Sequence, residues 1–405
     1  MKKIVSALAL AAVAAGFATA EVKISANFRA GQNLLNHQFG HATTLLDQDG
    51  KRTESDAIVL KGSAEYGGFE FELDPINNMS GSSRDAEGSG LKLEKYNGWI
   101  NFGPVMLKMG TWDSRAVGRV NADIGNHEGK YWGELKKPGL AAALGTSGLG
   151  TDVSQQSDKY PTTMVQYTNK DLGIEARAAY ANYRGDTNYY ANDNDIDFAV
   201  NRFMFEAGYT VKDVGRILAT TKATNYDWVG ALFFEPKLAN LKQLTALVGV
   251  TYERNVNAGT DSKGDDLTAQ AIAGDLRVRY AINDQLSVTG MFNWTGGDKV
   301  SSNKLVNQYA TWGMLNVTYK LNDTFQPFCS AIYASGASKA AVAAKAFDDP
   351  YAATLRIYPG VSIFQTKNAN LIAGVAFDIV DFTNDDFDNH ENMYISVPLL
   401  MRVKF

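Results

Sequence analysis

The last dozen residues, Tyr394–Phe405, put Ile395, Val397, Leu399, Met401, Val403 and Phe405 at every second position, with Ser396, Arg402 and Lys404 on the other parity. Successive side chains of a β-strand point to opposite faces. The segment is therefore a strand with one apolar face, one polar face and an aromatic carboxy-terminal residue. An amphipathic edge strand of a soluble protein has the same pattern, so the rest of the chain has to decide which phase the apolar face meets.

The opposite end narrows the choice. Met1–Ala20 begins with Lys2 and Lys3, continues as an apolar run from Ile4 to Phe17 and closes on Ala18-Thr19-Ala20, a small-x-small cleavage site. This is the pattern of a secretory signal peptide cleaved after Ala20, which leaves residues 21–405 as the mature chain. Removing Lys2 and Lys3 takes the formal charge from -5 to -7. That balance argues against nucleic acid as a partner, because such proteins carry a basic footprint. No later stretch approaches the roughly 20 apolar residues of a membrane-spanning helix. The chain nevertheless holds 19 Tyr, 20 Phe and 37 Gly with only 9 Pro, which suits strands whose lipid-facing residues alternate with polar ones. A single cysteine, Cys329, excludes an intramolecular disulfide, and its parity with Phe325, Ala331 and Tyr333 marks it as a small outward-facing residue.

Segments of period two recur along the whole chain, about eighteen of them, with sixteen as the alternative. The weakest parsing is Arg216–Leu244, where the connection near Thr224 is short although a long loop is due. Short connections are expected at Gly67-Gly68, Gly103-Pro104, Asn169–Asp171, Lys212–Val214, Asn283-Asp284 and Asn322-Asp323. Long polar ones are expected between them, at Gly31–Asp56, Asp74–Gly90, Arg184–Asp197, Arg254–Asp265, Gly296–Asn307, Ser335–Tyr351 and Val380–Asn392. Short turns on one side and long loops on the other are the habit of an outer-membrane barrel, with periplasm on the short side. Tyr280–Leu286 and Tyr319–Phe325 look like two copies of one hairpin solution. Tyr66, Phe102, Tyr167, Tyr209, Phe234, Tyr280 and Tyr319 each stand just before a short turn, where barrels carry an aromatic girdle.

The expected fold is thus all-β, a transmembrane antiparallel up-and-down barrel of 16–18 strands. The parity opposite the apolar one then lines the lumen, with Lys23, Arg29, Lys61, Glu65, Glu70, Glu72, Lys108, Glu175, Arg177, Asp275, Arg277, Arg279, Arg356, Arg402 and Lys404. So many charges of both signs imply a hydrated interior or a tightly paired plug, because unpaired charges in a dry core are costly. Barrels of 16 to 18 strands leave an aqueous channel.

The terminal strand resembles the C-terminal signal strand of bacterial outer-membrane barrels, which implies recognition of Tyr394–Phe405 by the barrel-assembly machinery, residence in the outer membrane and contact with its lipid. The run Trp99–Asp113 resembles the porin-like outer-sheath barrels of spirochaetes, in which a strand, a Pro turn and an L-x-L-x-x-G-x-aromatic-D strand recur. The longest connection, Asp113–Pro161, is the third outer loop and holds Arg115, Arg119, Asp123, Glu128 and Glu134. Resemblance to general bacterial porins implies that this loop folds inward and narrows the channel against basic wall residues, for which Arg177, Arg277, Arg279 and Arg356 are the candidates; spacing alone equally permits an exposed surface loop. The same resemblance implies a homotrimer. The expected activity is passive diffusion of small hydrophilic solutes and ions; a plugged barrel serving as a surface adhesin or structural protein is the alternative.

Catalytic and metal-binding readings fit less well. His37, His41, His127 and His390 fall in expected outer loops without a recognisable Ser nucleophile motif. The four-residue spacing of His37 and His41 lacks a third ligand. Asp193–Asp197 and Asp381–Glu391 lack the Gly and the distant Glu of an EF-hand. Gly145–Gly150 is not followed by Lys and a helix, as a phosphate loop requires. No motif calls for a cofactor.

Overall fold

The computed structural model describes residues 21–39, 43–47, 57–74, 92–111, 162–181, 202–223, 227–237, 240–301, 303–335, 354–363, 368–380 and 393–404. Strand segments run in order as β1 (Glu21–Gln38), β2 (Thr43–Asp47), β3 (Ala57–Ala64), β4 (Gly67–Asp74), β5 (Lys92–Phe102), β6 (Val105–Gly110) and β7 (Thr162–Asn169). They continue as β8 (Ile174–Ala181), β9 (Arg202–Val211), β10 (Gly215–Ala223), β11 (Asp227–Pro236), β12 (Leu244–Thr260) and β13 (Asp266–Ala281). The series closes with β14 (Leu286–Ser301), β15 (Lys304–Tyr319), β16 (Phe325–Ser335), β17 (Thr354–Ile363), β18 (Ala369–Gly374), β19 (Ala376–Val380) and β20 (Met393–Lys404).

From β3 to β17 every segment pairs antiparallel with the next, and the ring closes because β1 pairs with β3 on one edge and β20 on the other. β2 lies on the same edge of β1 as β3, and β18 and β19 both lie between β17 and β20. Twenty segments with two such shared positions leave an eighteen-position barrel among the described residues. The break between β18 and β19 has a chemical cause. Pro359 of β17 and Pro398 of β20 flank the Gly374-Val375 step, and neither has an N–H to donate to the ladder. Val375 instead donates its N–H to the Pro359 carbonyl at 3.0 Å.

The two faces sort as the alternation requires. Ile24, Phe102, Phe205, Tyr209, Leu232, Val248, Ile272, Phe292, Leu315 and Phe377 are exposed on the outward parity. Glu206, Thr220, Thr251, Glu253, Arg277, Asn316, Ser330, Arg356 and Asp378 are buried on the inward one. Tyr66, Phe102, Tyr209, Phe234, Tyr280 and Tyr319 are exposed beside the inner turns, as a girdle would be. Cys329 is exposed on the outward parity.

The repeated hairpin is confirmed atom by atom. Asn283 Oδ1 accepts the N–H groups of Gln285 and Leu286 at 2.9 and 2.8 Å, and Asn322 Oδ1 those of Thr324 and Phe325 at 2.9 and 2.8 Å. An Asn side chain that takes the place of a backbone acceptor closes a tight turn with almost any residues around it.

Four expectations about connections are corrected. The β3–β4 turn is Glu65-Tyr66, and Gly67 already pairs with Ala64 in the ladder. Positions 67 and 68 need Gly for space: a Cβ at either would strike the Trp99 carbonyl or indole. Residues 254–260 and 296–301 are not loop but continue β12 and β14; β12 turns back tightly through residues 261–265, and β14 stays paired with β15 as far as Ser301 opposite Lys304. Likewise β1 runs on to Gln38 and pairs with β2, so His37 is a strand residue, its Nδ1 2.9 Å from Thr43 Oγ1. The extensions exceed the membrane. A tilted transmembrane strand needs about 9–11 residues, whereas β12 has 17. Beyond the apolar phase the ladder persists without an apolar face, so hydrophobic periodicity cannot report it. Finally, β10 and β11 are separate strands that pair as far as Ala223 and Trp228, so the eighteen-strand count holds among the described residues.

Candidate functional site: the charged inner wall

Register decides which inward charges meet. Arg177 of β8 stands opposite Glu206 of β9, and Arg216 of β10 opposite Glu235 of β11. Arg177 Nη1 donates to Glu206 Oε1, and Arg177 Nε to Gln166 Oε1 at 2.9 Å. Arg216 donates from Nε to Glu175 Oε1 at 2.6 Å and from Nη1 to Glu235 Oε2 at 3.3 Å. Glu175 and Arg216 belong to β8 and β10, so their contact crosses β9. It does so at Gly208, where a Cβ would lie 2.5 Å from Glu175 Oε1. Two guanidinium and three carboxylate groups thus form one ladder across four strands.

A second pair lies on the far side of the ring. Arg356 Nε donates to Asp378 Oδ1 at 2.5 Å and Arg356 Nη2 to Oδ2 at 2.7 Å, with the side chains 4% and 2% exposed. This fork geometry is the strong form of the Arg–carboxylate contact. A third sector gathers Lys61 of β3, Glu70 of β4, Trp99 of β5 and Lys108 of β6. Lys61 Nζ is 3.2 Å from Glu70 Oε2, and the two ammonium groups lie 5.5 and 6.0 Å from the Trp99 ring centroid. On β13, Arg277 is buried between Leu247 and Met291, whereas Arg279 is exposed between Thr245 and Thr289.

The inner wall is not uniformly polar, contrary to the parity expectation. Leu218, Ala231, Phe233 and Leu247 form one buried apolar cluster on it, and Phe328, Tyr358, Ile372 and Ala376 another. The concave side of a barrel crowds side chains together, so neighbours across strands shield one another even without a plug.

Of the residues singled out from the sequence, Arg177, Arg277, Arg279 and Arg356 are all placed on the inner wall. Arg177 and Arg356 are matched there by carboxylates, so neither is a free cationic wall charge. Their partners Glu206 and Asp378, with Arg216 and Glu235, were missed, although inward parity was the signal that could have found them. Arg115, Arg119, Asp123, Glu128 and Glu134 lie outside the described residues, as do His41, His127 and His390.

No protein-family model matches the sequence, and no curated protein matches it. Solved structures do match. The loop L8 deletion mutant of OmpT, an outer membrane protein of Vibrio cholerae, is 11% identical over 95% of this chain and 99% of that one, with a TM-score of 0.50. The anion-selective porin from Comamonas acidovorans is 12% identical over 95% of this chain and all of that one, with a TM-score of 0.51. At these identities the likeness is one of fold: that of the outer-membrane barrels of porin type.

Proposed function

We propose that this chain, a barrel of the outer-membrane porin type, is a channel through which small hydrophilic solutes and ions diffuse passively across the outer membrane. The observation that carries the reading is a ring closed through eighteen positions among the described residues, whose outward face is apolar and whose inward face keeps charges of both signs. Rings of this size leave room for water, and charges on the wall set which ions pass. In this reading Met1–Ala20 is the export signal and Tyr394–Phe405 the strand presented to the assembly machinery. Arg115, Arg119, Asp123, Glu128 and Glu134 narrow the passage opposite Arg277 and Arg279, while the matched Arg177 and Arg356 brace the wall.

Assembly of three copies belongs to the same reading. A groove of about 630 Å³ on the outward wall is floored by Ala176, Ala207 and Ala219 and flanked by Phe205 and Trp228, so a neighbour's strands can approach closely there. Cross-linking through Ala207→Cys in a Cys329→Ala background tests that contact.

The channel itself is tested by planar-bilayer recording of the purified barrel. Stepwise conductance is the expected result. A barrel that shows the heat-dependent band shift of a folded protein yet passes no current would overturn the proposal in favour of a plugged adhesin or structural barrel.

A further inference from the structure

Trp99 occupies an unusual place for a large aromatic. It sits at inward parity, half-buried, between Gly68 on one neighbouring strand and Lys108 on the other. Because Gly68 has no side chain, the indole leans across β4 toward β3, where Lys61 meets it. Lys61, Trp99 and Lys108 are each three residues from the turn end of their strands, which puts them at one level, about 10 Å from the inner rim. Lys23 stands directly opposite Lys61 in register and adds a further ammonium to the same sector, 3.0 Å from Glu21.

The ion pairs here differ from those elsewhere on the wall. Arg356 and Asp378 are sealed into the wall, whereas Lys61 and Glu70 are 51% and 29% exposed. Exposed pairs are held weakly, so an incoming anion can take the place of Glu70 at Lys61. Arg279 is also exposed but has no aromatic neighbour across the ladder. In the Trp99 sector the exposed Lys61 and the half-buried Lys108 both bring an ammonium group to an aromatic ring.

We propose that Lys61, Trp99 and Lys108 form a solute-binding subsite for an anion carrying a flat ring, an aromatic carboxylate. The ring packs against the indole and its carboxylate pairs with the ammonium groups that stand over that ring. A ring without charge lacks the anchor, and a small carboxylate lacks the stacking surface. The subsite rests on the channel reading for its purpose, since a solute has to reach the inner wall, but its binding is measured without current.

The test is calorimetric titration of the detergent-folded barrel with benzoate, acetate and benzamide. Benzoate binds about fivefold more tightly than acetate, the scale of one aromatic contact. Trp99→Leu brings benzoate down to the acetate level and leaves acetate unchanged, and Trp99→Phe, which keeps a ring, retains part of the preference. Lys61→Gln weakens benzoate and acetate together without affecting benzamide. The band shift on heating verifies that each variant is folded. Equal binding of benzoate and acetate by the parent barrel, or a preference that survives Trp99→Leu, overturns the subsite. A barrel that shows the preference but passes no current keeps the subsite and refutes the channel; a conducting barrel without the preference does the reverse.

Discussion

Replacing Asp378 by Ala should be among the most damaging single changes available in the barrel wall. The Arg356 guanidinium is 4% exposed and bound through two hydrogen bonds to a carboxylate 2% exposed, so neither charge has water to fall back on. Removing the carboxylate takes both of these charge-assisted hydrogen bonds from a guanidinium that stays buried, and breaking a buried pair costs about 3–5 kcal/mol. At about 1.4 kcal/mol per decade, this is roughly a hundredfold or more in the unfolding equilibrium. Across the ladder Arg356 stands opposite the buried Ile332, and Asp378 opposite the buried Tyr394 of β20, so an apolar replacement has largely apolar company. The double variant Arg356→Met with Asp378→Leu should therefore lie within about 1 kcal/mol of the parent, because a buried ion pair repays its desolvation only partly. Urea titration of the barrel in lipid vesicles, followed by band shift and circular dichroism, measures both. A loss below about 1 kcal/mol for Asp378→Ala, the cost of breaking an exposed pair, would show that water reaches this part of the wall and refute the reasoning.

Deleting Gly118–Gly150 should raise single-channel conductance; unchanged conductance in a folded variant would put the third loop outside the pore. Arg277→Ala with Arg279→Ala should move cation-anion preference toward cations, read as a shift of reversal potential in a salt gradient, and Arg279 should carry most of it because Arg277 is buried. Asn283→Ala and Asn322→Ala should each cost about 1 kcal/mol in the same urea titration, since each loses the acceptor for two backbone N–H groups. Equal effects are expected from the two because the two turns share one geometry.

What the sequence by itself determined is the part of the molecule governed by the apolar phase. Wherever a strand faces lipid, alternation is enforced residue by residue, so Ile24, Phe205, Leu232 and Phe292 announce both the strand and its outward face. The hairpins at Gly103-Pro104, Asn283-Asp284 and Asn322-Asp323 were equally plain, because their chemistry is confined to a few adjacent residues. Tertiary structure alone decided the rest, for two reasons. Above the membrane no apolar face is required, so the extensions of β1, β12 and β14 were indistinguishable from polar loops until the ladder itself showed them paired. Charge pairing depends on register between strands distant in the chain. Arg356 and Asp378 are 22 residues apart, Glu175 and Arg216 are 41 apart, and the latter meet only because Gly208 leaves the intervening strand bare. Parity places a charge on the inner wall; the cross-strand register, set by backbone hydrogen bonds, determines whether that charge meets a carboxylate or faces the lumen.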